Sequence, residues 1–238
     1  MKRYINKVLP ESLRFKILKV LMQFCYGRSR SSYSQEGEDM ILQRIFERRE
    51  SGFYIDIGAH HPKRFSNTHL LYKKGWNGIN IDAMPGSMRC FNRVRKRDVN
   101  LELGIGEKEQ DLTYYIFNDP ALNGFSSDIS KKRHNNKSQF SIIKKLPVQV
   151  KKLSTILNEH LSKNQIIDFM TIDVEGLDLE VLESNNWEKF KPEYILIEVL
   201  KLNFNEISND KITLFLEEKG YQVFAKCVNT VFFKKKTT

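Results

Sequence analysis

Five short apolar runs in this chain carry acids at or near their ends, and those acids are where chemistry would be expected. FYIDIG (53–58) carries Asp56 and Gly58, GINID (78–82) ends in Asp82, and VNLEL (99–103) holds Glu102. IIDFMTIDVEG (166–176) brings Asp173 and Glu175, and YILIEVL (194–200) brings Glu198. Carboxylates at such positions accept hydrogen bonds from ligand hydroxyls, hold a proton, or bind a hard cation. His60 and His61 directly follow the turn Gly58-Ala59. An imidazole titrates near neutrality and suits general-base work on a hydroxyl, whereas a carboxylate needs burial among like charges to reach that range. His61 and Asp173 head the base candidates, with His60, Glu175 and Glu198 behind them. Local roles stay open for the same residues: either histidine capping the next helix, Glu175 as a first-turn helix acid, Glu198 paired with Lys201. A divalent cation on Asp173, Glu175 and Glu198 is a further alternative that spacing does not decide. His69 reads as a helix-surface residue, and His134 and His160 as surface positions.

Those acids are placed by an alternation of strands and helices that begins at residue 52. The runs above read as parallel strands, with helices expected over 68–74, 86–97, 178–185 and 208–219. DLTYYIF (111–117) alternates and reads as a strand near the sheet edge, and YQVFAK and NTVFFK close the chain as a hairpin. The stretch 118–145, rich in Asn, Ser and Lys, reads as an irregular substrate loop or lid. Upstream, a helix is expected from Glu36 to Arg48 with Ser34 as N-cap. The pattern predicts a Rossmann-like α/β fold: a mostly parallel, seven-stranded sheet, helices on both faces and a C-terminal antiparallel hairpin. In such sheets, ligands sit beyond the carboxyl ends of the strands, which is where the acids fall.

Composition narrows the class. The 238 residues suit one α/β domain with an extension, and 40% hydrophobic content supports a real core. Net charge is +10, yet residues 1–30 hold eight basic residues against Glu11 alone. SLRFKILKVLMQFCY (12–26) reads as a basic amphipathic helix and GRSRSSYS (27–34) as a linker, giving expected boundaries of 1–32 and 33–238. Such an extension suits an anionic membrane surface, a partner subunit, or docking on the body, so an oligomer is open. Cys25, Cys90 and Cys227 are too scattered for a disulfide framework or zinc site. No apolar run approaches membrane-spanning length, and Lys7, Pro10 and Glu11 interrupt any signal-peptide core. The expected place is the cytoplasm, with peripheral contact at the inner face of the membrane. Charge concentrated at the chain ends, and the lack of an Asn/Asp-Pro-Pro-Tyr/Phe stretch, argue against a nucleic-acid partner. A non-enzymatic binding module is disfavoured because folding alone does not call for acids at several strand ends.

The motifs SQEGED (34–39), YIDIGAHHP (54–62), FSNT (65–68), GWNGINID (75–82), DPALNGFS (119–126) and IDFMTIDVEGLDLEVL (167–182) occur in this order. Together they resemble the FkbM family of methyltransferases over roughly residues 33–200. The resemblance implies a class I methyltransferase fold, S-adenosylmethionine as methyl donor, and a hydroxyl acceptor. That acceptor would be a sugar in a cell-surface polysaccharide or its lipid-linked precursor, or alternatively a polyketide or lipid. It further implies that Asp56, Gly58 and Ala59, with His60 beside them, surround the methionine part of the donor. Asp82 would hold the ribose, Glu102 to Ile105 would flank the adenine, and Asp173 and Glu175 would sit beside the methyl group. Gln35, Gly37 and Glu38 would lie on a capping segment. His60 and His61 stand where the broader class has its later glycines.

Overall fold

The computed structural model describes residues 10, 13, 16, 20, 31–119, 122–125, 139–199 and 203–237. Contacts divide the chain into two units, residues 1–32 and 33–238. In the first, Leu13, Lys16 and Val20 are helical and exposed, and the rest of the expected amphipathic helix lies outside the described residues.

The second unit is built on a seven-stranded sheet. Its strands are β1 (Phe53–Ile57), β2 (Asn77–Asp82), β3 (Val99–Glu102), β7 (Phe169–Ile172), β8 (Tyr194–Glu198), β9 (Tyr221–Lys226) and β10 (Thr230–Lys235), in the order β3-β2-β1-β7-β8-β10-β9. β1, β2, β3, β7 and β8 run parallel, while β10 is antiparallel to both β8 and β9. This is the expected Rossmann-like, mostly parallel sheet with its closing hairpin. The chain winds outward from β1 to β3, then restarts at β7 on the other flank. β1 and β7 therefore border the topological switch point, where their diverging connections leave a crevice.

The period-2 pattern of the strands sorts the core into two faces. Phe53, Ile55 and Ile57 of β1, Met170 and Ile172 of β7, Ile195 and Ile197 of β8, and Val231 and Phe233 of β10 share one cluster. That face is covered by α4 (Leu153–His160), α5 (Asp178–Glu183) and α6 (Lys211–Glu218) through Ile156, Leu157, Val181, Leu182 and Leu216. Tyr54, Phe169, Tyr194, Leu196 and Phe232 point the other way, onto Leu42 of α1 (Glu38–Ile45), Phe46 just beyond it, and Leu71 of α2 (His69–Lys73). α3 (Met88–Val94) packs Met88 and Phe91 against Ala59.

Several local expectations change. Residues 111–117 do not join the edge of the main sheet. They form β5 (Gln110–Phe117), which pairs antiparallel with β6 (Ile142–Lys151), and with β4 (Gly104–Ile105) they make a separate three-stranded sheet. β6 begins inside the stretch read as irregular. Its first half is exposed on both faces, with Ile143, Lys144 and Lys145 exposed in succession, so no apolar alternation marks it as a strand. The first helix starts at Glu38 behind a left-handed Gly37 (φ 90°), which takes the N-cap position, while Ser34 Oγ still accepts the first-turn Asp39 N–H at 3.3 Å and donates to the Asp39 carboxylate at 2.9 Å. His69 is buried, edge-on to Tyr33 at 4.5 Å, instead of lying on a helix surface.

Candidate functional site

The carboxyl ends of β1, β2, β7 and β8 converge on a cavity of about 360 Å³. Gln35, Gly58, His60, Asp82, Ile105, Asp173, Glu175 and Glu198 all line it. Sequence-distant residues are thus brought together because all but Gln35, which precedes α1, end a strand or follow one closely. The volume lies within the range of small-ligand pockets.

Gly58 is the tightest point. Its φ is 81°, and a Cβ there would stand 1.8 Å from the Asp173 carbonyl oxygen. The β1 and β7 ends therefore approach through bare backbone, closed by Asp173 N–H donating to Ile57 O at 3.0 Å. Left-handed backbone without glycine recurs at His60 (φ 52°), Phe65 (φ 57°) and Glu175 (φ 57°), all three on the cavity wall. Each costs about 1–3 kcal/mol, and such strain concentrates where a site dictates geometry. Two carboxylates stabilise the loops. Asp82 accepts from His60 N–H and Met84 N–H, both at 2.8 Å, tying the ends of β1 and β2. Asp178 accepts from Val174 N–H and Gly176 N–H, both at 3.2 Å, shaping the turn that carries Glu175.

The cavity has two chemically different ends. On the β2–β5 side the wall is apolar: Met84, Leu103, Ile105, Leu122 and Phe125, with Tyr114 edge-on to Phe125 at 4.9 Å. Gly104 leaves room for this ring, since a Cβ there would lie 2.6 Å from Phe125 Cζ. On the β7–β8 side the wall is acidic, with Asp173, Glu175 and Glu198. Asp173 follows β7 directly and its side chain is open to the cavity, with the packed strand ends around it. Burial, and then the neighbouring Glu198, Glu175, Asp178 and Asp56, push its pKa well above the ordinary carboxylate range. Among the described residues, no Lys or Arg side chain lines the cavity.

Other expected residues lie elsewhere. Asp56 is buried behind the wall, accepting from Thr68 Oγ1 at 2.8 Å, and burial pushes its pKa up to about 6. Ala59 is buried against α3. His61 is off the cavity, and its Nδ1 accepts from Lys63 N–H (3.1 Å) and Arg64 N–H (2.9 Å). Burial and the adjacent positive groups lower its pKa. Glu102 is exposed and receives Met88 N–H at 3.4 Å, while its neighbours Leu103 to Ile105 line the cavity. Glu38 accepts from Thr230 Oγ1 at 2.9 Å and Gly37 starts α1, so these two anchor the segment that presents Gln35. Among the described residues, no group of three or more His, Cys, Asp or Glu side chains has the arrangement of a metal site.

A further structural group escapes sequence reasoning. Arg95, fully buried at the end of α3, donates to Pro62 O (2.9 Å), Tyr54 Oη (3.1 Å), Ser66 Oγ (2.9 Å) and Thr68 Oγ1 (3.0 Å). It holds the loop that carries His60 and Phe65, and through Thr68 it reaches Asp56. In the sequence it is one of several cations in RVRKR, with no signal that it alone turns inward.

Strand order, switch-point cavity and the acids on its rim define a class I methyltransferase architecture. The model of the methyltransferase FkbM domain matches residues 56–223, and the chain belongs to this family. No curated protein matches it. Among solved structures it is similar to a protein described as an RNA methyltransferase from Pyrococcus horikoshii, with 11% identity, 89% of this chain and 92% of that chain covered, and a TM-score of 0.44. It is also similar to an O-methyltransferase from Bacillus cereus in complex with SAH, with 13% identity, 97% and 94% covered, and a TM-score of 0.42.

The chain is accordingly an S-adenosylmethionine-dependent methyltransferase, and its residues fit that donor. The apolar end suits a flat base, Gly58 lets the ends of β1 and β7 close up behind the cavity, and the acidic end suits a ligand carrying positive charge.

Proposed function

We propose that this protein transfers the methyl group to a hydroxyl oxygen, on a sugar of a cell-surface polysaccharide or its lipid-linked precursor. The observation that carries this is the acidic end of the cavity, where burial and neighbouring acids raise the pKa of Asp173 and make its carboxylate a stronger base than an ordinary one. When bound, the donor supplies an activated methyl on a cationic sulfur. The chain must align the acceptor and take its proton. As the C–O bond forms and the C–S bond breaks, the hydroxyl proton passes to the Asp173 carboxylate, whose raised pKa makes it the stronger proton acceptor. Glu198 and Glu175 keep that pKa up and offset the positive charge of the donor. His61 serves the turn instead, because its Nδ1 already accepts two backbone hydrogen bonds. Asp82 would hold ribose hydroxyls with the lone pairs that His60 and Met84 leave.

Residues 1–30 would supply peripheral attraction to an anionic membrane, which suits a lipid-linked acceptor. Calorimetric titration with S-adenosylmethionine, followed by transfer of radiolabelled methyl to neutral polysaccharide fractions, tests the reading. Micromolar binding and label that survives mild base support a methyl ether. Base-labile label points to a carboxylate acceptor and removes the proposal.

A further inference from the structure

The lip of the donor cavity differs in chemistry from its interior. His60 and Phe65 line the cavity from the loop that joins β1 to α2, and the turn between them carries Lys63 and Arg64, both exposed. The Arg64 guanidinium lies over the Phe65 ring, 4.4 Å from its centroid, and the His60 ring stacks beside the same phenyl at 6.3 Å. Among the described residues no carboxylate pairs with Lys63 or Arg64, so their side-chain N–H donors are left for a ligand. The surroundings carry the same sign. Between residues 59 and 97 the one acid, Asp82, is buried, while Arg93, Lys96 and Arg97 are exposed like Lys63 and Arg64. Arg95, in the middle of that group, reaches Pro62 O at 2.9 Å, so the end of α3 adjoins the loop. The turn is also set in advance. His61 Nδ1 accepts from both Lys63 N–H and Arg64 N–H, at 3.1 and 2.9 Å, so one imidazole orients the backbone of both cations. Beyond Phe65, Ser66 N–H donates to Tyr33 O at 3.1 Å and Asn67 Nδ2 to Thr171 Oγ1 at 3.0 Å, which ties the loop to the capping segment and to β7. Backbone fixed beforehand loses less freedom when a ligand binds.

We propose that Lys63 and Arg64 hold a phosphate of the acceptor, so that the acceptor is a sugar bound as its phosphate or diphosphate ester, with the ring entering the cavity past Phe65 and His60. A guanidinium beside an ammonium suits a group with several acceptor oxygens and more than one negative charge, which a phosphate ester has and a carboxylate lacks. The exposed face of Phe65 offers a platform for the apolar side of the sugar ring. The cations grip the ester outside the cavity, and the reacting hydroxyl lies within it. His61 is then a positioning residue, which touches no substrate and acts through two backbone amides. The inference rests on the hydroxyl-transfer reading above and, of its two acceptors, chooses the phosphate-linked precursor.

Calorimetry on the full chain first establishes binding of S-adenosylhomocysteine, which also fills the apolar slot and keeps a nucleotide base out of it. The loaded protein is then titrated with glucose and N-acetylglucosamine, each as the methyl glycoside, the uridine diphosphate ester and a short isoprenyl diphosphate ester. The diphosphates should bind about fivefold tighter than the neutral glycosides, or better. Preference for one carrier names the source of the phosphate, and equal binding of both assigns recognition to the diphosphate itself. Arg64→Gln and Lys63→Gln should each weaken diphosphate binding about fivefold, and His61→Ala should do the same. His61→Asn should restore it, because an asparagine oxygen accepts from the same two amides. Affinity for S-adenosylhomocysteine should stay within about twofold of wild type in all four variants. Neutral glycosides bound as tightly as diphosphates, no diphosphate bound, or diphosphate affinity unchanged in both Arg64→Gln and Lys63→Gln would each overturn the inference while leaving the donor site intact. Failure of the wild-type protein to bind S-adenosylhomocysteine would instead overturn the donor reading and the inference with it.

Discussion

Asp173 and its neighbours show what the site costs the fold. A carboxyl whose folded pKa is raised contributes stability that is fully present below its unfolded value and is lost as pH rises through the folded value. For Asp56 and Asp178, both pushed up to about 6 chiefly by burial, that window runs from about 4 to above 6. Asp173 extends it upward. The ligand-free protein should therefore melt at higher temperature at pH 5.5 than at pH 8, read by scanning calorimetry. Asp173→Asn should flatten this dependence and raise the melting temperature at pH 8 while abolishing methyl transfer. A melting temperature that falls with the substitution would contradict the assignment. Gly58 fails in the opposite sense. Gly58→Ala places a Cβ on the Asp173 carbonyl at positive φ, so the ends of β1 and β7 must part. Several kcal/mol of stability and donor binding should be lost together, as a denaturant titration beside calorimetry would show.

At the level of elements, the loop from β1 to α2 depends on one buried guanidinium. Arg95 has its N–H groups spent on Pro62, Tyr54, Ser66 and Thr68, so a lysine cannot replace it. Arg95 also pairs with the buried Asp98 carboxylate at 3.8 Å, so Arg95→Met should cost about 3–5 kcal/mol, the range for breaking a buried ion pair. It should also weaken donor affinity tenfold or more in the folded fraction. Leu216→Ala, in the core beneath α6 and away from the cavity wall, should lower stability by about 2–5 kcal/mol with donor affinity unchanged. Equal loss of affinity in both would reduce Arg95 to a stability residue. At the apolar end, Gly104→Ala should displace Phe125 and weaken donor binding with little change in melting temperature. β4, β5 and β6 thereby act as a wall for the apolar slot rather than as an extension of the main sheet.

Across the whole molecule, charge is segregated: a net excess of +10 overall, basic residues crowded into 1–30, and an acidic cavity. Reversing Arg14, Lys16 and Lys19 to glutamate should reduce co-sedimentation with vesicles containing 30% anionic lipid severalfold, without changing calorimetric affinity for S-adenosylmethionine. Unchanged sedimentation would end the membrane proposal. Among the described residues no helix is long and apolar enough to cross a membrane.

The sequence by itself determined the sheet, because buried parallel strands are apolar runs, as β1, β2, β7 and β8 are, and the closing antiparallel hairpin shows its own apolar Val231-Phe232-Phe233. It also determined which strand ends carry acids, and so where the cavity had to lie. β6 showed no period because residues 143–145 are exposed in succession, and the role of 110–117 could not be read, since pairing partners as far apart as Gln110 and Val150 leave no local trace. Only tertiary structure separated Asp173 and Glu198, which face the cavity, from Asp56 and Glu102, which stand behind or outside it. The reason is geometric: a strand end fixes where a residue is, whereas the direction of its side chain depends on the alternation of the strand and on what packs against it. The same holds for Arg95 and Asn67, ordinary residues in the sequence, to which only neighbours distant in the chain give a task.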